Sequence, residues 1–198
     1  MDRIARHSRE TSETTVKVEI NLDGTGQYEV KTGNGMLDHM LAQLARHGLL
    51  DLKVEAKGDL GPGWHHLVED VGITLGQALR QAVGEGKGIV RMGHAVVPLD
   101  ETLVQVALDL GGRGYAVVDI GLSNELVGDL PGDLLRHFLE SLAFESRMSL
   151  HAKIIQGVNP HHKAEATFKA LARALNVALR IDPRRAGDVP STKGTISA

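Results

Sequence analysis

The pair His65-His66 is followed by Glu69, and the same pattern returns 96 residues later (161 − 65) as His161-His162 with Glu165. Only ten histidines occur among 198 residues, so a repeat of this kind constrains the chain strongly. Its surroundings repeat too. LDHMLAQLA from Leu37 and LRHFLESLA from Leu135 keep Leu, His, Leu, Leu and Ala in step, at an offset of 98 (137 − 39). Downstream, Leu75 and Leu171, Ala78 and Ala174, and Leu79 and Leu175 hold the offset of 96. A small length change in the loop before each His-His pair accounts for the difference. The chain therefore reads as an internal duplication, with each copy ordered as strands, helix, strand, loop and His-His helix.

Local patterns fill in that order. TVKVEINL from Thr15 alternates β-branched with polar residues and predicts a strand. The turn DGTG from Asp23 leads into QYEVKT, so the two segments predict a hairpin. Met36, Leu37, Met40, Leu41 and Leu44 fall at helical spacing, and Gly48 is expected to stop that helix. LLDLKVEA predicts a strand and GDLGPG a loop. A helix follows with Val71, Leu75, Ala78, Leu79 and Ala82 on one face. Past a glycine-rich joint from Gly84 to Gly93, strands are expected at HAVVPL, TLVQVALDL and YAVVDIGL. A helix begins near Pro131, SLHAKIIQ is a strand, GVNP a turn, and HHKAEATFKALARALNVALRI a long helix. From Asp182 the chain is a polar tail without a core signal. The resulting units are residues 1–90, 91–182 and 183–198.

Composition narrows the function. Aromatic residues are 3% of the chain, so the core is aliphatic. The formal net charge of −3 gives no support to nucleic-acid binding. No apolar run approaches the ~20 residues of a membrane span, and the N-terminus lacks a signal-peptide apolar stretch, which makes a cytoplasmic protein the expectation. With no cysteine, a metal must be held by nitrogen and oxygen.

Six histidines and two glutamates recur in register: His39, His65, His66, Glu69, His137, His161, His162 and Glu165. Residues four apart on a helix share a face, whereas neighbours point about 100° apart. Each Glu can thus join one His of its pair, while the other His points to a second ion. Three imidazoles and one carboxylate per ion satisfy the count for two sites, each drawing on both copies. Whether the copies meet within one chain or between chains is open at this stage, as is the choice among zinc, iron, cobalt, nickel and manganese. His7, His94 and His151 stand outside the repeat and read as ordinary surface histidines. Arg91 after GKGIV, Arg113 in GGRGY, and Ser191, Thr192 and Lys193 in PSTKG form a cation and hydroxyl set suited to a phosphate.

The segments LDHMLAQLARHG, HHLVED, PLDETLVQVALDLGGRGY, HFLESLA, HHKAEATFKALARAL, DPRR and PSTKG closely resemble the imidazoleglycerol-phosphate dehydratase family of histidine biosynthesis. The resemblance implies an α+β fold of two similar halves, each a four-stranded sheet packed by two helices, akin to the second domain of ribosomal protein S5. It implies two manganese ions per chain on the eight His and Glu residues. It implies a homo-oligomeric 24-subunit shell with sites at subunit interfaces, and loss of water from imidazole glycerol phosphate to give imidazole acetol phosphate. Gln43, His47, Arg91, Arg113, Lys169, Ser191, Thr192 and Lys193 would contact substrate. Glu13 would match an acidic residue on the family's N-terminal strand and act as acid or base. One departure stands out: Gly63 and Trp64 occupy the places of an Asp-Asp pair before the first His-His, and Leu67 stands where Thr is common. A dinuclear phosphoester hydrolase and a metal-storage shell are the rival readings of the same ligand set.

Overall fold

The computed structural model describes residues 3–58, 63–123, 125–185 and 187–196. The first copy comprises β1 (Ile4–Glu10), β2 (Thr14–Asn21), β3 (Tyr28–Lys31), α1 (Gly35–Gly48), β4 (Asp51–Gly58) and α2 (His65–Val83). The second comprises β5 (Met92–Leu99), β6 (Thr102–Asp109), β7 (Tyr115–Asp119), a small hairpin of β8 (Leu126–Val127) and β9 (Leu130–Pro131), α3 (Gly132–Ser146), β10 (Ser149–Gln156) and α4 (Pro160–Leu179). The strand orders are β1-β2-β4-β3 and β5-β6-β10-β7, so the two four-stranded sheets have one topology. The fold is α+β, as expected. No helix among the described residues is long and apolar enough to cross a membrane.

The duplication survives in backbone detail. Leu49 and Arg147, 98 residues apart, both end their helices in the left-handed region at φ 56 and 55. Gly48 was expected to be that stop; it is instead the last helical residue of α1, because its lack of a side chain serves packing. A methyl group there would meet Leu50 and lie 3.5 Å from the Ala172 carbonyl oxygen of α4.

Two further expectations change. Strands 15–22 and 27–32 do not form a hairpin, since β3 crosses to the far side of β4 and pairs with it in parallel. The Asp51 carboxylate accepts the amides of Thr25 at 2.8 Å and Gln27 at 2.9 Å, which turns the loop across the end of β4 rather than back along β2. The edge beside β2 is taken by β1, a strand whose polar sequence hid it; Ala5 is its one buried hydrophobic residue. The expected GDLGPG loop falls largely on residues 59–62, outside the described residues. In the tail, Ile196 is buried and packs against the core.

One face of each sheet is covered and the other is bare. Outer rows of the first sheet alternate in charge, as in Arg6, Glu19, Lys53 and Glu29 across four strands, a favourable cross-strand arrangement. The equivalent rows of the second sheet carry exposed Met92, Val96, Tyr115 and Val117.

On the inner faces, α2 packs on the first sheet and α4 on the second. The helices also pair across the copies, α1 beside α4 and α2 beside α3, and all enclose one apolar cluster with the Phe138 and Phe168 rings 5.5 Å apart. Close approach of α2 and α3 depends on Gly72 and Gly76. A methyl group on Gly76 would sit 2.7 Å from Glu145 Cβ and 2.9 Å from the Leu142 carbonyl oxygen, both too short to keep. Gly76→Val is therefore expected to cost about 1–3 kcal/mol by overpacking. Urea unfolding of the metal-free protein checks this, and an unchanged midpoint would contradict the close-packing account.

Candidate active site

The crosswise pairing brings the repeated histidines together. Glu165 lies one turn beyond His161 on α4, and α1 supplies His39 opposite them. Glu165 Oε2 is 3.1 Å from His39 Nε2 and 3.0 Å from His161 Nε2. The second copy of the arrangement joins His65 and Glu69 of α2 to His137 of α3, whose Nε2 is 3.5 Å from Glu69 Oε1. Within each trio the donor atoms all lie within 4.8 Å of one another.

These trios fit a divalent cation. His137 Nε2 is buried without a hydrogen-bond partner among the described residues, and so is His66 Nδ1. A buried ring nitrogen left unpaired is costly in the protein alone and is satisfied when its lone pair meets a metal ion. Imidazole nitrogen with carboxylate oxygen suits several first-row divalent metals.

His66 and His162 are not in the trios. As neighbours of His65 and His161 they point elsewhere. His66 Nδ1 lies 3.3 Å from Glu13 Oε2, without hydrogen-bond geometry. His162 Nδ1 meets Glu101 Oε2 at 2.7 Å, and its Nε2 is 3.8 Å from Asp100. The His162 hydrogen bond, then the Asn159 amide, hold the Glu101 carboxyl well below the usual range, and Glu101 in turn raises His162. Sequence reasoning missed Asp100 and Glu101. The available signal was the strand repeat, since Glu13 precedes β2 as Glu101 precedes β6, 88 residues on (101 − 13).

Glu13 itself is in the turn between β1 and β2, not on the strand that the resemblance implied. Thr11 Oγ1 accepts the amides of Glu13 at 3.1 Å and Thr14 at 2.9 Å, which shapes the turn. Buried Asp70 of α2 anchors it, accepting from Arg9 Nε at 2.6 Å and from the Thr14 hydroxyl. Asp70→Ala leaves both donors without their partner and is expected to cost about 1–3 kcal/mol. Thermal unfolding of the metal-free protein measures it, and a loss within error would show that the turn needs no such anchor.

Gln43, His47 and Lys169 extend the first trio as two facing stripes, His39-Gln43-His47 on α1 and His161-Glu165-Lys169 on α4. His47 Nε2 is 3.1 Å from Gln43 Oε1. Burial, then the charges of Lys169 and Arg173, push His47 down. For Glu165 burial acts upward, but the Lys169 ammonium at 2.6 Å and the His39 and His161 rings outweigh it and bring the carboxyl to about 2. At the equivalent place beside Glu69 stands Ile73 (169 − 96), so the two trios differ in charge.

The remaining substrate candidates sit elsewhere. Arg91, Arg113, Ser191, Thr192 and Lys193 line a cavity of about 730 Å³, together with Arg185, which sequence reasoning missed although DPRR advertised it. Arg91 is fixed by Asp109 at 2.7 and 2.9 Å and by the Pro190 carbonyl at 2.8 Å. The concentration of cations suits an anion. Its place is surprising, because the Arg91 amide bonds the Ala178 carbonyl at the C-terminal end of α4 while His161 opens that helix. Seventeen residues of helix at 1.5 Å each separate the two ends by roughly 26 Å.

A model of the family described as imidazoleglycerol-phosphate dehydratase matches residues 32–175, which include all eight metal-ligand candidates. The chain belongs to that family. Curated imidazoleglycerol-phosphate dehydratases of Dehalococcoides mccartyi strain 195 and Roseiflexus sp. strain RS-1 are 59% and 53% identical to it. Each comparison covers 98% of this chain, with 97% and 98% of the relative. A crystal structure of the Staphylococcus aureus dehydratase superposes with a TM-score of 0.82 at 36% identity, over 90% of this chain and 99% of that one. The Pyrococcus furiosus dehydratase in complex with (S)-C348 gives 0.80 at 40% identity, over 94% and 98%.

Gly63 and Trp64, the pair at which the resemblance is weakest, shape the start of α2. Gly63 takes φ 84, and Trp64 opens α2 without a side-chain cap. At the start of α4, by contrast, Asn159, in the place of Gly63 (159 − 96), caps the helix by accepting the His161 and His162 amides at 2.9 and 3.3 Å. Trp64 instead packs half-buried against the core.

Proposed function

We propose that this chain is a dehydratase that converts imidazole glycerol phosphate to imidazole acetol phosphate and water in histidine biosynthesis, working in the cytoplasm with no membrane or nucleic-acid partner. The observation that carries the reading is the pair of matching His–Glu–His trios, one from each crosswise helix pair. A substrate imidazole has two nitrogens to hold, and two like cation sites answer that need. His39, His161 and Glu165 would hold one manganese ion, and His65, Glu69 and His137 the other. The bound ions would supply positive charge that favours the deprotonated imidazole ring.

The chain's own groups do the rest. Glu13 takes the proton from the substrate carbon bearing the second hydroxyl, hydroxide leaves from the carbon attached to the ring and takes up that proton as water, and the resulting enol becomes the ketone by losing its hydroxyl proton and gaining one at the ring-side carbon. Glu13 suits this role because it makes only a loose approach to His66 and is exposed. Arg91, Arg113, Ser191, Thr192 and Lys193 bind the phosphate, and Gln43, His47 and Lys169 face the substrate beside the first trio.

No glycerol chain spans the roughly 26 Å of α4 that lie between the first trio and the Arg91 end of the anion cavity within one chain. A working site therefore combines the first trio of one copy with the anion cavity of another. His66 and His162, turned away from their own trios, supply the third imidazole of each ion across such contacts. This supports a homo-oligomer with sites between subunits, in line with a 24-subunit shell, and the exposed apolar face of the second sheet is surface for another copy to cover.

Incubation with imidazole glycerol phosphate tests the activity directly. Ketone product is expected; free phosphate would favour a hydrolase, and no turnover of metal-replete protein a storage shell. Elemental analysis should find about two metal ions per chain, and a single ion would refute the two-trio reading. Glu13→Gln should lower turnover by about 10²–10⁴, the usual contribution of a positioned acid or base, with metal content unchanged. Near-normal turnover would remove Glu13 from the chemistry.

A further inference from the structure

The duplication places a second carboxylate where Glu13 has its own. β2 and β6 are both eight residues long, Glu13 precedes one and Glu101 the other, and each faces the outward histidine of its pair. Their surroundings differ. Glu13 reaches His66 without a hydrogen bond. Glu101 is fully engaged: Oε1 accepts the amides of Val158 at 3.1 Å and Asn159 at 2.9 Å and the Thr102 hydroxyl at 3.0 Å, while Oε2 meets His162 Nδ1 at 2.7 Å. The loop before α4 closes tightly here, since a methyl group on Gly157 would lie 2.5 Å from Thr102 Oγ1.

We infer that Glu101 is a positioning residue for His162: it holds the ring through Nδ1 so that Nε2 is the atom offered outward to a divalent cation. An ionised carboxylate only accepts hydrogen bonds, so Nδ1 must carry the proton and Nε2 the free lone pair. The same carboxylate grips the loop that leads into Asn159, the cap of α4, and so fixes the ring relative to the helix that carries His161 and Glu165. A group that is saturated in this way is poorly placed to move substrate protons. The two copies of one turn have thereby taken two tasks, with the loose carboxylate left for proton transfer and the tethered one orienting a ligand.

The inference rests on the reading of His162 as a metal ligand, and the test separates the two. Manganese binding to the metal-free full-length protein is followed by electron paramagnetic resonance for wild type, Glu101→Ala, His162→Ala and the double variant, alongside Glu13→Ala. Glu101→Ala is expected to weaken one of the two ions per chain by about 10–100-fold, the usual effect of losing a group that orients a ligating histidine. The other ion and the Glu13→Ala protein should bind as wild type. In the His162→Ala background, removal of Glu101 should add nothing. A collapsed loop would instead weaken both ions or add a further loss in that background, and either outcome overturns the inference. Glu101→Asp, which keeps the charge but retreats from Nδ1, should show the same one-site loss and serves if the alanine variant does not fold. Loss of an ion in His162→Ala with wild-type affinity in both Glu101 variants would refute the positioning role alone. Two ions bound at wild-type affinity in His162→Ala would refute the ligand reading, and the inference with it.

Discussion

The rest of this structure depends on parallel helices packed across the two copies. Neither copy can build a trio alone, because α1 and α3 each carry one candidate histidine and α2 and α4 each carry the other two residues. Only when α1 lies against α4 and α2 against α3 do the donors converge. That contact is a backbone matter before it is a side-chain one. Gly72 and Gly76 let α3 approach α2, and Gly48 lets the end of α1 approach Ala172. Larger residues at these points would hold the helices apart and leave the histidines as surface groups. The glycines of helix interiors, unfavourable by about 1 kcal/mol each relative to alanine, are thus offset by the packing they permit.

Much of this was legible because duplication doubles every signal. One His-His pair is weak, but two pairs with flanking leucines in step reveal helices, phase and partner residues together. What failed was information held by non-adjacent elements. The segments before and after Asp23 look like a hairpin because local pattern cannot show that Asp51, far along the chain, captures the intervening amides. β1 escaped notice because an edge strand buries little and so need not alternate clearly. Asp70 reads as an ordinary acid beside a ligand motif, and Glu101 as an ordinary acid in a turn, until the turn above one and the loop beside the other are seen. Likewise, nothing in the spacing of Arg91 and His161 says that a whole helix lies between them.

Common topology has not kept common chemistry. Lys169 pairs with Glu165, while the aliphatic Ile73 takes its place beside Glu69. A cation within reach of a carboxylate offsets its negative charge, so Glu165 presents less of it than Glu69 does. Asn159 caps α4, whereas Trp64 leaves α2 uncapped by a side chain. The first sheet's bare face is a lattice of opposite charges suited to water, and the second's carries aliphatic and tyrosine side chains.

These differences make sense if the chain is built to be incomplete. The anion cavity and the first trio sit at opposite ends of α4, and rigid helical backbone fixes that separation. No rotation of a side chain closes it, since the longest arginine or lysine reaches well short of the gap, and Arg91 is already held by Asp109 and Pro190. Under the proposed function, a substrate with its ring at the first trio and its phosphate in the cavity would find them on different copies. The proposed role of His66 and His162 agrees, because a ligand turned away from its own trio would serve only a neighbour's ion. On this view association does not merely stabilise a finished site. It would create the proposed site, with the duplicated fold contributing two rigid ends too far apart for a lone chain to hold both ends of such a substrate.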